Sequence, residues 1–300
     1  MPDEALLLDE KIRARLEPLM LVASKVRAGA VQGERRSIKR GTSIEFADYR
    51  DYAPGDDLRR LDWNVYARLE RPYVKLLEDE EDLAVHILLD TSASMDWPDD
   101  GAADRHKLLF AKRLFAGLAY ISLTTNDRLQ LTAINDQGLE QFGPTRGRGQ
   151  TVPMLRFAHR LAARGVTDLN TALEAYALRA ARPGLCFVIS DMFSPSGYLD
   201  GMNALLGRGF EIALIHILSP DEVMPPVAGD LRLIDIETGE PQEVSVDATM
   251  RDIYIQRLAL WRDNIRADCV RRGVHYLPLQ TDELWEKVIL YDLRRLGLVK

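Results

Sequence analysis

The chain has 300 residues, 46% of them apolar and 28% charged, which suits a globular fold and excludes a disordered or fibrous one. Its net charge of -7 argues against a nucleic-acid binder, because neutralising phosphates takes a concentrated basic surface. The dense basic run, Arg35, Arg36, Lys39 and Arg40, reads as a solvated surface, and Cys186 and Cys269 lie in apolar patterns without CxxC spacing, as reduced core thiols do.

The opening MPDEALLLDEK is acidic where a secretory signal is basic, and its apolar core is too short for one. No window approaches the ~20 apolar residues of a membrane span, so a cytoplasmic protein without direct membrane insertion is expected. Leu8, Ile12, Leu16, Leu19, Ala23 and Val26 recur at helical spacing, with Pro18 expected to kink or restart the helix because it lacks an amide hydrogen. Beyond Gly33 the texture turns short, charged and aromatic, with turn signals at Arg40-Gly41 and Ala53-Pro54-Gly55-Asp56. This predicts a small β-rich appendage ending in a strand over 73–77; the acidic run 78–82 reads as a solvated turn. The expected division is 1–82, helix plus appendage, and 83–300, the main domain.

From Leu83 onward, strands and helices alternate. Short apolar runs over 83–89, 129–134, 185–190, 210–218 and 274–279 resemble parallel strands buried on both faces. Between them, 104–125 is apolar nearly all round, as a heavily buried helix would be. Met250, Tyr254, Leu258, Trp261, Ile265 and Cys269 mark one face of another helix. The alternation predicts a doubly wound α/β fold with a mainly parallel sheet, whose ligands bind at the carboxyl ends of strands. Residues 231–246 break the rhythm and read as an inserted β-hairpin about Thr238-Gly239-Glu240.

The first strand of the main domain runs into Asp90-Thr91-Ser92-Ala93-Ser94. A helix cap is the ordinary use of such residues, yet the following MDWPDDG holds a proline, a glycine and three aspartates, which postpones the helix to about Asp104. Asp90, Ser92 and Ser94 in alternate positions can instead aim oxygens at a hard cation such as Mg²⁺, which takes about six oxygens and only one or two carboxylates. Further oxygens are available from Thr167, in the Gly165-Val166-Thr167-Asp168 loop before a helix over 169–181, and from Asp191, directly after the strand LCFVIS.

DxSxS, a loop threonine before a helix and an aspartate closing a later strand together resemble the metal-ion-dependent adhesion site of the von Willebrand factor A fold. The resemblance implies Ser92, Ser94 and Thr167 as hydroxyl ligands of Mg²⁺ or Mn²⁺, with the carboxylates of Asp90 and Asp191 acting directly or through water. Upstream, Glu45-Phe46, Arg50, Tyr52, Gly55-Asp56-Asp57, Arg59, Asp62-Trp63 and Ala67-Arg68 resemble the signature of the bacterial family called domain of unknown function fifty-eight, which precedes an A-type domain. That family resemblance implies an adaptor or co-chaperone of a MoxR-type AAA+ ATPase, acting in assembly or activation of protein complexes. Read physically, the same stretch has a turn at Pro54-Gly55, Asp56 or Asp57 as a cap, ion pairs among Arg59, Arg60 and Asp62, and Trp63 packed on a sheet. A partner-docking face is the alternative for its exposed charges.

With hydroxyl ligands and few carboxylates, such a cation keeps an open position that a partner's Glu or Asp would fill. A metal-dependent hydrolase using Mg²⁺-activated water is the alternative. Against it, the chain has no GxSxG, HExxH or GxxxxGK[ST], and His86, His216 and His159 fall where core or surface histidines belong. Gly143, Gly147 and Gly149 in GPTRGRGQ are expected to form a flexible basic loop.

Overall fold

The structure is a computed structural model and describes residues 7–23, 45–52, 61–69, 71–78, 83–98, 105–226, 229–235 and 240–300. The chain divides into two compact units, one of residues 33–82 and one joining 1–32 to 83–300. The N-terminal helix therefore groups with the main body rather than with the appendage.

That helix, α1 (Glu10–Leu16), starts at Asp9, whose side chain accepts the Ile12 N–H. Pro18 does not kink it but lies beyond its end, and Leu21 bridges Val299 near the C-terminus. Met20 and Lys300 exchange backbone hydrogen bonds beside this bridge. Val26, the basic run, Asp56, Asp57, Arg59 and Arg60 lie outside the described residues.

In the smaller unit β1 (Glu45–Asp51) pairs antiparallel with β2 (Tyr73–Glu78), and the register shifts between Phe46 and Asp48. Between them stands α2 (Trp63–Leu69), begun by the buried Asp62, whose side chain accepts the N–H groups of Asn64 and Val65. Trp63 does not pack on a sheet. It is 61% exposed, edge-on to Tyr66.

The main body contains β3 (Ala84–Asp90), α3 (Lys107–Thr124), β4 (Arg128–Asn135), β5 (Gly138–Thr145), α4 (Thr151–Arg160), α5 (Leu169–Arg179), β6 (Leu185–Ser190), α6 (Leu199–Gly207), β7 (Glu211–Leu218), the short α7 (Pro220–Val223), the hairpin β8 (Gly229–Ile234) and β9 (Pro241–Val246), α8 (Ala248–Arg272) and β10 (His275–Gln280). Six strands form one sheet in the order β10-β7-β6-β3-β4-β5, all parallel except the edge strand β5. From β3 the chain moves to β4 on one side, then returns to β6 on the other. The reversal of strand order therefore lies at β3, and the carboxyl ends of β3 and β6 sit side by side there.

Strand alternation gives each face its own core. Val85, Ile87 and Leu89 join α3, α4, α1 and the C-terminal residues 285–299 on one face; Leu88, Cys186 and Val188 join α5, α6 and α8 on the other. Helix α3 is buried nearly all round, and a Cβ on Gly117 would meet Ile289 Cδ1 at 2.7 Å. On α8, Leu258, Ile265 and Cys269 are buried, but Met250 and Tyr254 are exposed, so only the later part of its apolar face is covered. Both cysteines are buried free thiols. The hairpin strands match expectation, while residues 236–239 of its turn lie outside the described residues. Among the described residues, no helix is long and apolar enough to cross a membrane.

Part of the expected glycine-rich loop is in fact strand. β5 includes Gly143 and Pro144, and a Cβ on Gly143 (φ +101) would meet the Leu129 carbonyl oxygen at 2.6 Å where the β4–β5 register shifts. Turn-type residues hid this strand because they belong to an edge bulge.

The sheet also depends on Gly184, just before β6, where a Cβ would meet the backbone oxygen of Ala84 at 2.0 Å. Gly184→Ala is expected to destabilise the protein by about 2 kcal/mol through forced separation of β3 and β6. Urea unfolding measures this; an unchanged midpoint would contradict the β3–β6 register.

Candidate metal centre

Asp90 ends β3 with its carboxylate almost wholly out of solvent. One oxygen accepts the Ser92 N–H at 3.0 Å; the other accepts the Ser190 hydroxyl at 2.7 Å. Ser190 also accepts the Met192 N–H at 2.8 Å, so a single hydroxyl ties the end of β6 to Asp90. Met192 itself adopts φ +64, a left-handed conformation uncommon for methionine, in the turn that follows Asp191.

After Asp90 the hydroxyls divide their roles. Thr91 donates to the Ile134 carbonyl at 2.8 Å and pins the loop to β4. Ser92 stands at the start of a 3₁₀ turn, Ala93–Met95, yet makes no side-chain cap bond; its Oγ lies 2.9 Å from Ser94 Oγ instead. Those two oxygens, adjacent to the Asp90 carboxylate, form half of the donor set.

The Thr167 loop is stitched to this one by two backbone bonds. Ala93 N–H donates to the Gly165 carbonyl at 2.8 Å, and Arg164 N–H donates to the Thr91 carbonyl at 2.9 Å. Gly165 has φ +63 and would drive a Cβ to 2.2 Å from Asp136 Cγ, so the loop needs glycine there. Asp168 serves as the cap of α5, accepting the Thr171 N–H at 2.9 Å and the Ser196 hydroxyl at 2.6 Å. Thr167, by contrast, is buried, and its hydroxyl has no hydrogen-bond partner. A buried hydroxyl without a partner costs about 1–3 kcal/mol, so its retention needs a reason.

Asp191 is fully buried but already engaged. One oxygen accepts the Phe193 N–H at 3.1 Å; the other accepts Lys107 Nζ at 2.7 Å. Lys107, itself without solvent exposure, also donates to Glu222 on α7 at 2.5 Å. Burial works against the Lys107 ammonium, but the Asp191 and Glu222 carboxylates outweigh it and hold the pKa above the usual lysine value. Lys107, Ser190 and Glu222 escaped the sequence reading. A lysine in the first turn of a helix apolar nearly all round was the signal available for the first of them.

Among the described residues, no cationic side chain pairs with Asp90. Burial first, and the Asp191 carboxylate second, push its pKa up to about 6, against the opposing hydrogen bonds from Ser190 and Ser92. Keeping it ionised at neutral pH therefore costs roughly 3 kcal/mol, a cost that a bound cation would offset. Among the described residues no three His, Cys, Asp or Glu side chains gather as metal ligands, so such a cation would rest chiefly on hydroxyls. The donor set Asp90, Ser92, Ser94 and Thr167 is all oxygen, as Mg²⁺ or Mn²⁺ prefers. His86 stands apart from this chemistry, with Nδ1 2.6 Å from Tyr176 Oη, whereas His216 lies beside Asp191 and Lys107 with its Nδ1 2.8 Å from Tyr276 Oη; burial pushes both rings down to about 4.

Each loop of the site also carries an exposed apolar side chain: Trp97 at 39%, Val166 at 37% and Phe193 at 38%. Phe193 stacks on Trp261 of α8, beside an open groove of about 480 Å³ that Met192, Tyr254, Arg257 and Leu258 help to line.

Residues 48–263 match the family described as "Protein of unknown function DUF58". The chain belongs to this DUF58 family. The uncharacterized protein Rv1480 of Mycobacterium tuberculosis is 30% identical to this DUF58 protein over 280 residues, covering 92% of this chain and 87% of its own. The uncharacterized protein MAV169 of Mycobacterium avium is 33% identical over 118 residues, 39% of this chain and 69% of its own. Among solved structures, the conserved hypothetical protein BatB from Bacteroides thetaiotaomicron is similar at 15% identity and a TM-score of 0.43, covering 72% of this chain and 98% of its own. The SpRpn10 VWA domain is similar at 14% identity and a TM-score of 0.38, over 69% and 93% respectively.

The electrostatics of Asp90 make a prediction for the metal-free protein. A carboxyl whose folded pKa lies above its unfolded value contributes stability below pH 3.8 that is lost as pH rises through about 6. Asp90→Asn removes the charge while keeping the shape. In chelator at pH 8 it should unfold at higher urea than wild type, by the equivalent of about 1–3 kcal/mol, with the difference shrinking at pH 5. A variant less stable at both pH values would contradict this reading of Asp90.

Proposed function

We propose that this DUF58 protein is a non-enzymatic, divalent-metal-dependent protein-interaction module. The observation that carries the reading is the Thr167 hydroxyl, buried without a partner in a loop stitched beside Asp90, Ser92 and Ser94. Asp90 and the three hydroxyls would hold Mg²⁺ or Mn²⁺, with Asp191 behind them. When bound, the cation supplies a positive, incompletely coordinated centre at the surface end of the sheet. The protein's own residues present that centre: Thr91 and Ser190 hold the loops, and the buried Asp90 supplies the ligand charge.

The partner reading rests on charge and on surface. One directly ligating carboxylate and three hydroxyls leave a divalent cation incompletely coordinated, and an external Glu or Asp is a ligand that can fill the open position. The exposed Trp97, Val166 and Phe193 surround it with apolar contact area of the kind protein interfaces use. The family resemblance directs this surface toward an adaptor or co-chaperone role beside a MoxR-type AAA+ ATPase in the cytoplasm.

Calorimetric titration with Mg²⁺ and Mn²⁺ tests the site. Wild type should bind one equivalent; Asp90→Ala and the Ser92→Ala plus Ser94→Ala double variant should bind none. Thr167→Val, which removes an unbonded hydroxyl, should leave metal-free stability unchanged or raised while weakening the metal about tenfold. Equal metal affinity in wild type and Asp90→Ala would sink the assignment.

A further inference from the structure

Lys107 introduces a second cation into a site read as one for a divalent ion. Its backbone N–H donates to the Trp97 carbonyl at 2.8 Å, which ties the residues that follow Asp90 to the first turn of α3. Its ammonium then reaches Asp191 at 2.7 Å and Glu222 at 2.5 Å, with the Phe193 ring centroid 5.3 Å away. Glu222 is held in place independently. Its other oxygen accepts the Ser219 N–H at 2.7 Å in the capping box of α7.

We propose that Lys107 is a positioning residue of the metal centre, holding Asp191 as its own ion-pair partner rather than as a direct metal ligand and trimming the negative charge that faces the cation. This role for Lys107 rests on the metal-site reading of Asp90, Ser92, Ser94 and Thr167. Asp90, Asp191 and Glu222 contribute three negative charges and Lys107 one positive charge, so their formal sum is -2 and a divalent cation brings it to zero. Without Lys107 the sum would be -3, and the loaded site would stay negative and repel a partner's carboxylate. With Lys107, Asp191 has its oxygens committed to Lys107 and to the Phe193 N–H, so Asp90 and the three hydroxyls supply four of the about six oxygens such a cation takes, and the remaining positions are left for groups from outside. The same arrangement explains why a lysine tolerates complete burial here: it pairs with the fully buried Asp191 and with the partly buried Glu222.

Charge-balanced variants test this with Mg²⁺ alone as the probe, followed by calorimetry. Lys107→Met should bind Mg²⁺ about tenfold tighter than wild type, and Glu222→Gln several-fold weaker, because each shifts the local charge by one in opposite directions. The Lys107→Met plus Glu222→Gln double variant restores the formal sum of -2 and should return to within about threefold of wild type. A purely structural lysine would lower the melting temperature in Lys107→Met and leave Mg²⁺ affinity alone; that result overturns the proposal while the metal site stands. Should Lys107→Met fail to fold, Glu222→Gln alone decides, and an affinity equal to wild type overturns the proposal. Absence of Mg²⁺ binding in wild type and every variant overturns the metal-site reading, and this proposal with it.

Discussion

A carboxylate kept out of water at the carboxyl end of the central strand is the constraint on which the rest of this structure depends. Asp90 is buried, adjacent to a second buried carboxylate, and served by hydrogen bonds from Ser92 and Ser190 rather than by a cationic partner. Such a group is costly in a folded protein unless something neutralises it. The surrounding elements are arranged to hold it there: Thr91 bonded to Ile134 of β4, Ser190 from β6, and the Thr167 loop fastened by paired backbone bonds. Because strand order reverses at β3, these three connections converge on one point of the sheet edge.

Two neighbouring aspartates are treated differently by the fold. Asp191 is given a buried lysine, and Asp90 is given hydroxyls and an amide. Like charges close together cannot both be carried cheaply in a low-dielectric site, and pairing one internally is the solution that leaves the other for an external cation. Helix α3 makes this possible. It is clamped between the sheet and the C-terminal residues, with Gly117 against Ile289, and that clamping fixes where its first turn delivers Lys107. Packing far from the site therefore sets the charge within it.

Much of this was legible in the chain itself, for reasons that differ by element. The parallel strands were visible because burial on both faces demands unbroken apolar runs such as AVHILL and LCFVIS. Asp90, Ser92, Ser94 and Asp191 could be placed together because each falls at or just after a strand end, where topology converges. What escaped was set by tertiary contacts. β5 is an edge strand whose Gly143 and Pro144 look like loop; the segment after α1 joins the main body through the Leu21–Val299 bridge; Trp63 is exposed, and an aromatic residue's exposure is not written in its own segment. Lys107 was hidden most thoroughly, since its two partners lie 84 and 115 residues away along the chain.

The central claim is that oxygens of Asp90, Ser92, Ser94 and Thr167 form a cradle for one divalent cation, with Lys107 remaining on Asp191. A crystal structure with Mn²⁺, read by anomalous scattering, tests it most directly. The account predicts a single peak at about 2.1 Å from the Ser92, Ser94 and Thr167 hydroxyl oxygens, with Lys107 Nζ still bonded to Asp191. No peak at this position, with Thr167 Oγ1 instead bonded to the protein, would contradict it.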